Sequence, residues 1–142
     1  MDRYKGFTMI ELVVVIALFS IILSIAIPNL RVVNKYKENQ ELKEFKRDIL
    51  YARNQAIMKG KIYSFQLDYI NNSYLIQSED GVEKRYYFKN GLSLIENPDM
   101  IEIRFGKSGA PLKSGTISFR NSENKICLLT VTPVTGQINL YK

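Results

Sequence analysis

The chain contains no histidine and a single cysteine among its 142 residues. The lack of histidine excludes His-based nucleophile triads and removes the usual ligand of most zinc and copper sites. Cys127 lies in the apolar run 126–129, which predicts a small core residue; pairing with another chain is the alternative. A single cysteine cannot form an intramolecular disulfide, so the core alone must hold the fold. No metal and no cofactor are expected.

Charge is absent from a long stretch near the N-terminus. Residues 12–27 are all uncharged, and Ser20 and Ser24 are the only polar ones; their hydroxyls can bond back to a helix backbone. As an α-helix, residues 7–30 would be about 36 Å long, enough to cross a bilayer core of about 30 Å. Glu11 is the exception, because a carboxylate in such a helix is costly and indicates a function.

Three interpretations fit this stretch. A secretory signal peptide would begin with basic residues such as Arg3 and Lys5, and 24–26 would offer a small-x-small cleavage site. The length of the run and the presence of Glu11 argue against that interpretation. A plain membrane anchor explains the length and leaves Glu11 unexplained. The third interpretation accounts for every feature and comes from the residues at the start of the run.

The segment Lys5-Gly6-Phe7-Thr8-Met9-Ile10-Glu11-Leu12 resembles the cleavage site of type IV prepilins and pseudopilins. In that family a short basic leader ends in glycine, and the fifth mature residue is glutamate. The resemblance implies that prepilin peptidase removes residues 1–6 and N-methylates the new amine of Phe7. Gly6 leaves the scissile bond unshielded. Glu11 is then the counter-ion of that amine, either within one chain or, as in the family, between neighbouring subunits.

The charges on either side of the apolar run bear on its orientation. Lysines and arginines after the run outnumber Arg3 and Lys5 before it, which taken alone would reverse the topology. More than 100 residues follow Leu30, however, and segments of that length translocate largely regardless of charge. We therefore expect a single-pass protein of the cell membrane with a cytoplasmic leader. Its C-terminal domain would be outside, at the cell surface or in the periplasm once it is assembled in a filament.

The polar remainder of the chain predicts a second helical segment and a β domain. Five apolar residues recur at helical spacing within residues 31–60: Leu42, Phe45, Ile49, Ala52 and Ala56. They predict an amphipathic helix that faces a core, and Gly60 ends it as a C-terminal cap would. Pro28 predicts a bend earlier in the helix. In residues 61–142, apolar residues that alternate between turn signals predict six or seven antiparallel strands.

The predicted fold class is α+β, with a long N-terminal helix packed on a C-terminal antiparallel β domain. Two later stretches resemble the minor pseudopilins of the GspH/FimT-like group, namely the helix end 45–60 and the C-terminal run 103–138. The short chain without a disulfide is also similar to minor pseudopilins of competence systems. In the GspH/FimT-like group a basic residue follows the turn of the last hairpin, whereas this chain has Gln137 there.

The resemblance implies a structural role, as a minor pilin or pseudopilin of a type IV pilus, a type II secretion pseudopilus or a competence pseudopilus. The implied partners are prepilin peptidase, the membrane and other pilins. An enzyme is not predicted. The catalytic candidates are the acidic pairs Glu79-Asp80 and Asp99 with Glu102, which lie at turn-like or strand-edge positions where solvated charge is the ordinary explanation.

The alternative function is that of a DNA-binding minor pilin, which would act in DNA uptake at the filament tip. Lys84, Arg85, Tyr86 and Tyr87 place basic and aromatic side chains together, and the chain has a formal charge of +6. Phosphate neutralisation by such a patch would give salt-dependent, sequence-tolerant affinity. The other interpretation of this run is an edge strand that is charged to resist edge pairing.

Overall fold

The computed structural model describes residues 6–26 and 29–141, with side chains for 6–25 and 32–141. The predicted leader, apart from its last residue, and the predicted bend at Pro28 lie outside the described residues. The chain divides into two compact units, and each is described by itself.

The first unit, Met1–Tyr36, contains helix α1 (Met9–Ala26) and the beginning of helix α2 (Asn29–Lys59). Every described side chain of α1 is exposed. Among the described residues, no helix combines the length and the apolar character that crossing a membrane requires. The membrane span predicted for residues 7–30 stays a prediction.

The second unit, Lys37–Lys142, contains the rest of α2 and the β domain. The helix ends at Lys59, and Gly60 follows it with a φ of 62°. A residue at positive φ after the last turn closes a helix, and glycine adopts this conformation without a steric penalty. The C-terminal cap predicted from the sequence is therefore confirmed.

The β domain consists of nine strands among the described residues. Their bounds are β1 Tyr63–Asp68, β2 Ser73–Ser78, β3 Gly81–Tyr87, β4 Ser93–Ile95, β5 Glu102–Phe105, β6 Pro111–Lys113, β7 Thr116–Arg120, β8 Ile126–Val131 and β9 Ile138–Tyr141. They form a five-stranded sheet in the order β3-β2-β1-β5-β6 and a four-stranded sheet in the order β4-β7-β8-β9. All neighbouring strands are antiparallel.

The predicted number of strands was too low. Strands β4 and β6 have three residues each, and β6 lies within the segment 106–115 that the sequence presents as a loose connection. A three-residue strand is too short to show a clear period of two, so its pairing partners rather than its own pattern define it. The predicted α+β class is confirmed.

The core of the second unit lies between α2 and both sheets. The five apolar residues predicted to face a core are all buried: Leu42, Phe45, Ile49, Ala52 and Ala56. The ring of Phe45 is central, because its centroid lies 5.0 Å from those of Phe65 on β1 and Tyr74 on β2, and 4.9 Å from that of Phe119 on β7. One side chain of the helix thus joins the two sheets. Cys127 is buried in the same core, as predicted.

Candidate functional site: the N-terminal segment and the charged face of strand β3

The residues of the predicted cleavage site lie outside regular structure. Gly6, Phe7 and Thr8 precede the first residue of α1, Met9, and all three are exposed. A Cβ atom added to Gly6 would meet no atom within 4 Å. Packing within the chain therefore gives no reason for a glycine at this position. An extended, unshielded backbone is what a protease needs in order to bind a scissile bond.

Glu11 lies in the first turn of α1 and reaches back to Thr8. Its carboxylate Oε2 lies 3.5 Å from both the backbone nitrogen and the hydroxyl of Thr8. The backbone N–H of Glu11 in turn faces the Thr8 hydroxyl at 3.4 Å. This reciprocal arrangement is a capping box, which satisfies donors that a helix start would leave unpaired. The carboxylate is held beside the backbone that would become the new N-terminus.

Sequence reasoning missed Thr8. The spacing Thr8-x-x-Glu11 before an apolar run is the known signature of a capping box, and it could have identified both residues as the start of the helix. The two serines behave as predicted: the Ser20 hydroxyl donates to the Ile16 carbonyl at 2.9 Å, and that of Ser24 to the Ser20 carbonyl at 2.8 Å. The two serine hydroxyls of α1 are thus bonded to its own backbone.

The four residues predicted to contact DNA are divided between the two faces of β3. Lys84 and Tyr86 point to α2, where the Lys84 ammonium lies 2.6 Å from an oxygen of Asp48 and the Tyr86 hydroxyl donates to Glu41 at 3.1 Å. Burial by itself would lower the pKa of Lys84, but the carboxylates of Asp48 and Glu44 outweigh it and raise that pKa. These two side chains are parts of the helix–sheet contact.

Arg85 and Tyr87 are exposed on β3. Strand alternation separates them from Lys84 and Tyr86, because successive side chains point to opposite faces of a sheet. The structure therefore does not bring the four predicted residues together into one patch.

Three acidic residues of α2 that the sequence analysis did not single out are buried: Glu38, Glu41 and Asp48. Glu41 accepts hydrogen bonds from the backbone N–H groups of Lys89 at 2.9 Å and Asn90 at 3.3 Å. Glu38 accepts from the backbone N–H of Ser122 at 3.2 Å. A helical period alone could not identify them, because the donors that they satisfy lie far away in the sequence.

Comparison with known proteins gives a motif and a fold. Residues 1–27 match the family model described as the prokaryotic N-terminal methylation motif. The fold matches that of the type IV minor pilin FimU of Pseudomonas aeruginosa, with a TM-score of 0.60 and 17% identity over 75% of this chain and 92% of that one. The chain thus combines a prokaryotic N-terminal methylation motif with a pilin-like fold.

A second solved structure leads to the same fold. The minor pseudopilin EpsH of the Vibrio cholerae type 2 secretion system matches this pilin-like chain with a TM-score of 0.56 and 17% identity, over 72% of this chain and 94% of that one. None of the curated protein sequences compared with the chain is significantly similar to it. The matched structures are a minor pilin and a minor pseudopilin, and this chain shares their fold.

The acidic pairs of the pilin-like chain have structural partners. Asp80 forms an ion pair with Lys61 at 2.7 Å, and Glu102 forms one with Arg104 at 3.0 Å. Asp99 and Glu79 are exposed. In the part of the chain that the structure describes, no group of three or more acidic or cysteine side chains is arranged to hold a metal ion.

Proposed function

We propose that this chain is a minor subunit of a type IV filament, which prepilin peptidase cleaves between Gly6 and Phe7 and then N-methylates. The observation that carries the proposal is the position of Glu11 beside an exposed, unstructured Gly6-Phe7 bond at the start of an apolar helix. The matched N-terminal motif covers the same residues.

The proposed assembly step depends on charge. Cleavage creates a cationic amine on Phe7, and the surface of α1 around it is apolar. A buried charge without a partner is strongly destabilising, whereas a paired one is much less so. We infer that the Glu11 carboxylate pairs with the amine of a neighbouring subunit and thereby penalises wrong axial registers. In the isolated chain the carboxylate lies against Thr8, close to the predicted cleavage site.

Membrane anchoring belongs to the same proposal. The described side chains of α1 are exposed and, apart from a few positions, apolar, so a lipid phase or the helices of other subunits would have to cover them. In the membrane the leader would be cytoplasmic and the β domain outside. Whether the filament is a type IV pilus, a type II secretion pseudopilus or a competence pseudopilus depends on the partner subunits.

The test is incorporation of a Glu11→Gln variant into sheared filaments. Removal of one partner from a buried charge pair costs about 3–5 kcal/mol, so we expect incorporation to fall by about a hundredfold or more while cleavage continues. Ser20→Ala is the matched control on the same helix, because its hydroxyl bonds only to its own helix backbone. Undiminished incorporation of Glu11→Gln would contradict the proposed pairing.

DNA uptake is the second candidate function. Arg85 and Tyr87 remain exposed, which favours it, whereas Lys84 and Tyr86 are engaged with α2. A gel-shift titration of the full chain in detergent at low salt tests this candidate. Retention of DNA that is lost in Arg85→Ala would support it, and an absence of retention would end it.

A further inference from the structure

The two sheets of the β domain end in four edge strands, β3 and β6 in one sheet and β4 and β9 in the other. An edge strand presents unpaired N–H and C=O groups, to which the strand of another chain can bind. Natural proteins block such edges with charged residues, proline or a covering group. The four edges of this chain differ in whether they have such protection.

The edges of the five-stranded sheet are both protected. Strand β3 carries Glu83, Lys84 and Arg85 in succession. Strand β6 begins with Pro111, which has no N–H to donate, and ends with Lys113. Charge and proline are the two commonest means of preventing edge-to-edge pairing.

The edge of β4 is covered by a side chain. The Asn72 side-chain amide donates to the Leu92 carbonyl at 2.8 Å, and its oxygen accepts from the Leu94 N–H at 2.8 Å. The asparagine thus makes the hydrogen bonds that an added strand would make at this position.

The described residues of strand β9 have none of these protections. Its sequence, Ile138-Asn139-Leu140-Tyr141, contains no charge and no proline. The Gln137 carbonyl accepts from the Thr132 N–H at 2.9 Å, so alternation along the strand turns the N–H and C=O groups of Ile138 and Leu140 away from β8. No hydrogen bond from the described residues reaches these outward groups.

The outer face of the sheet beside this edge carries exposed apolar side chains as well. Strand β8 buries Cys127 and Leu129 on its inner side, yet its outer side also carries apolar residues, with Ile126 56% and Leu128 37% exposed. Tyr141, which pairs with Leu128 across β8 and β9, is 58% exposed. A strand that is apolar on both sides is typical of sheets covered on both faces.

Charge indicates what kind of chain would cover this edge. Arg120 is the only charged residue in the four strands of this sheet, and the side chains keep a net charge of +5 once the proposed leader, with Asp2, Arg3 and Lys5, is removed. Two copies of such a chain would repel each other, whereas an acidic chain would be attracted.

We propose that the outer edge of β9 accepts an extended strand from a different, acidic subunit of the filament, with apolar side chains on the face next to Leu128 and Tyr141. The inference rests on the proposed function, because it concerns how the assembled subunit is held. Main-chain hydrogen bonds to Ile138 and Leu140 would supply the affinity, and the exposed apolar side chains would supply the register.

The test compares Leu140→Pro with Leu140→Ala in the full chain, expressed in cells that assemble the filament. Both variants lose the leucine side chain, but only proline removes the outward N–H and places a ring at the edge. Proline is tolerated on an edge strand where its nitrogen faces outward, so β8 and β9 stay paired. A photoreactive p-benzoylphenylalanine in place of Asn139 reports the partner, and the same group in place of Glu79 is the control position.

We expect the residue-139 probe to form a cross-link with a different chain of acidic isoelectric point. The Leu140→Pro change should reduce this product at least about tenfold, since the outward N–H donor is lost and the ring obstructs pairing at the edge, whereas Leu140→Ala should leave it within about twofold. A cross-link to a second copy, no product at residue 139, or an undiminished product in Leu140→Pro would each overturn the proposal.

A second pair of variants covers the case in which Leu140→Pro does not fold. Tyr141→Glu places an anion at the edge, where it would repel an acidic partner and remove the apolar contact, and Tyr141→Phe keeps the apolar ring. The product should fall in Tyr141→Glu and persist in Tyr141→Phe; equal yields would overturn the proposal. Incorporation of the unaltered chain distinguishes a failure of this inference from a failure of the proposed function. If the unaltered chain enters filaments while every variant cross-links equally, only this inference fails. If the unaltered chain does not enter filaments, the proposed function fails first.

Discussion

Helices α1 and α2 are both regular, but they differ in what surrounds them. Every described side chain of α1 is exposed, although most of them are apolar, whereas α2 buries a stripe of five apolar residues under two sheets. The apolar stripe of α2 is covered within the chain, whereas the described apolar side chains of α1 are not. Tertiary packing therefore stabilises α2, and we propose that surroundings outside the chain stabilise α1.

The largest expected effect comes from one aromatic residue in each helix. Phe45→Ala should lower the free energy of unfolding of the β domain by about 3–5 kcal/mol, because the ring is fully buried between both sheets. Phe19→Ala, at an exposed position in α1, should change it by less than about 0.5 kcal/mol. Urea unfolding of the full chain in detergent measures both, and a comparable loss in the two variants would abolish the contrast.

An acidic residue in each helix sharpens the comparison. Glu41→Gln leaves one of its backbone donors without an acceptor in a buried site and should destabilise the β domain by about 1–3 kcal/mol. Glu11→Gln, in the exposed first turn of α1, should leave the unfolding midpoint of the β domain unchanged. The same urea titration decides this, and a stable Glu41→Gln protein would show that its hydrogen bonds to Lys89 and Asn90 contribute little.

Much of this contrast could be predicted from the sequence. The spacing from Leu42 to Ala56 predicts the buried stripe because periodicity reports directly on which face meets a core. The acids Glu38, Glu41 and Asp48 could not be found in that way, since their partners are set by loops and strands far along the chain. The sequence analysis also grouped Lys84 to Tyr87 as one patch, although the alternation of a strand divides them between two faces.

At the start of α1, by contrast, a local sequence signal could have predicted the observed contact. Thr8 and Glu11 lie three residues apart, and their contact needs only the first turn of a helix. The division of the β domain into two sheets, by contrast, depends on which strands pair. The short sequences of β4 and β6 do not specify which strands they pair with.

A smaller loss of stability is expected when glycines of the second unit are replaced by alanine. Gly109 has a φ of 76°, and an added Cβ would lie 2.5 Å from Cδ1 of Ile57 on α2. Gly109→Ala should therefore cost about 1–3 kcal/mol through backbone strain and displacement of the helix side chain.

Gly60→Ala is the matched control, because its φ of 62° is similar and its added Cβ meets nothing within 4 Å. It should be destabilised by backbone strain alone, by about 1 kcal/mol. Equal losses at Gly60 and Gly109, measured by thermal unfolding, would mean that the contact with Ile57 does not matter.

The smallest effect concerns pH. The Lys59 ammonium, followed by the Tyr63 hydroxyl, holds the pKa of Glu83 below its ordinary value of 4.5. A lowered pKa in the folded state means that the contribution is present above pH 4.5 and is lost as the pH falls through the folded value. The pair is largely solvated, so the loss should be below about 1 kcal/mol.

Unfolding midpoints at pH 7 and pH 3 should therefore differ more for the unaltered chain than for Glu83→Gln. Glu79→Gln, an exposed neighbour, is the control and should keep the full dependence. An unchanged pH dependence in Glu83→Gln would show that this ion pair does not contribute to the stability of the second unit.

The most direct measurement is the mass of the mature N-terminus, in cells with and without prepilin peptidase. With the peptidase, we expect a chain that begins at Phe7 and carries one additional methyl group; without it, the leader should remain attached. A mature chain that begins at any other residue would contradict the proposed processing. The protein would then be a pilin-like domain whose N-terminal helix has some other role.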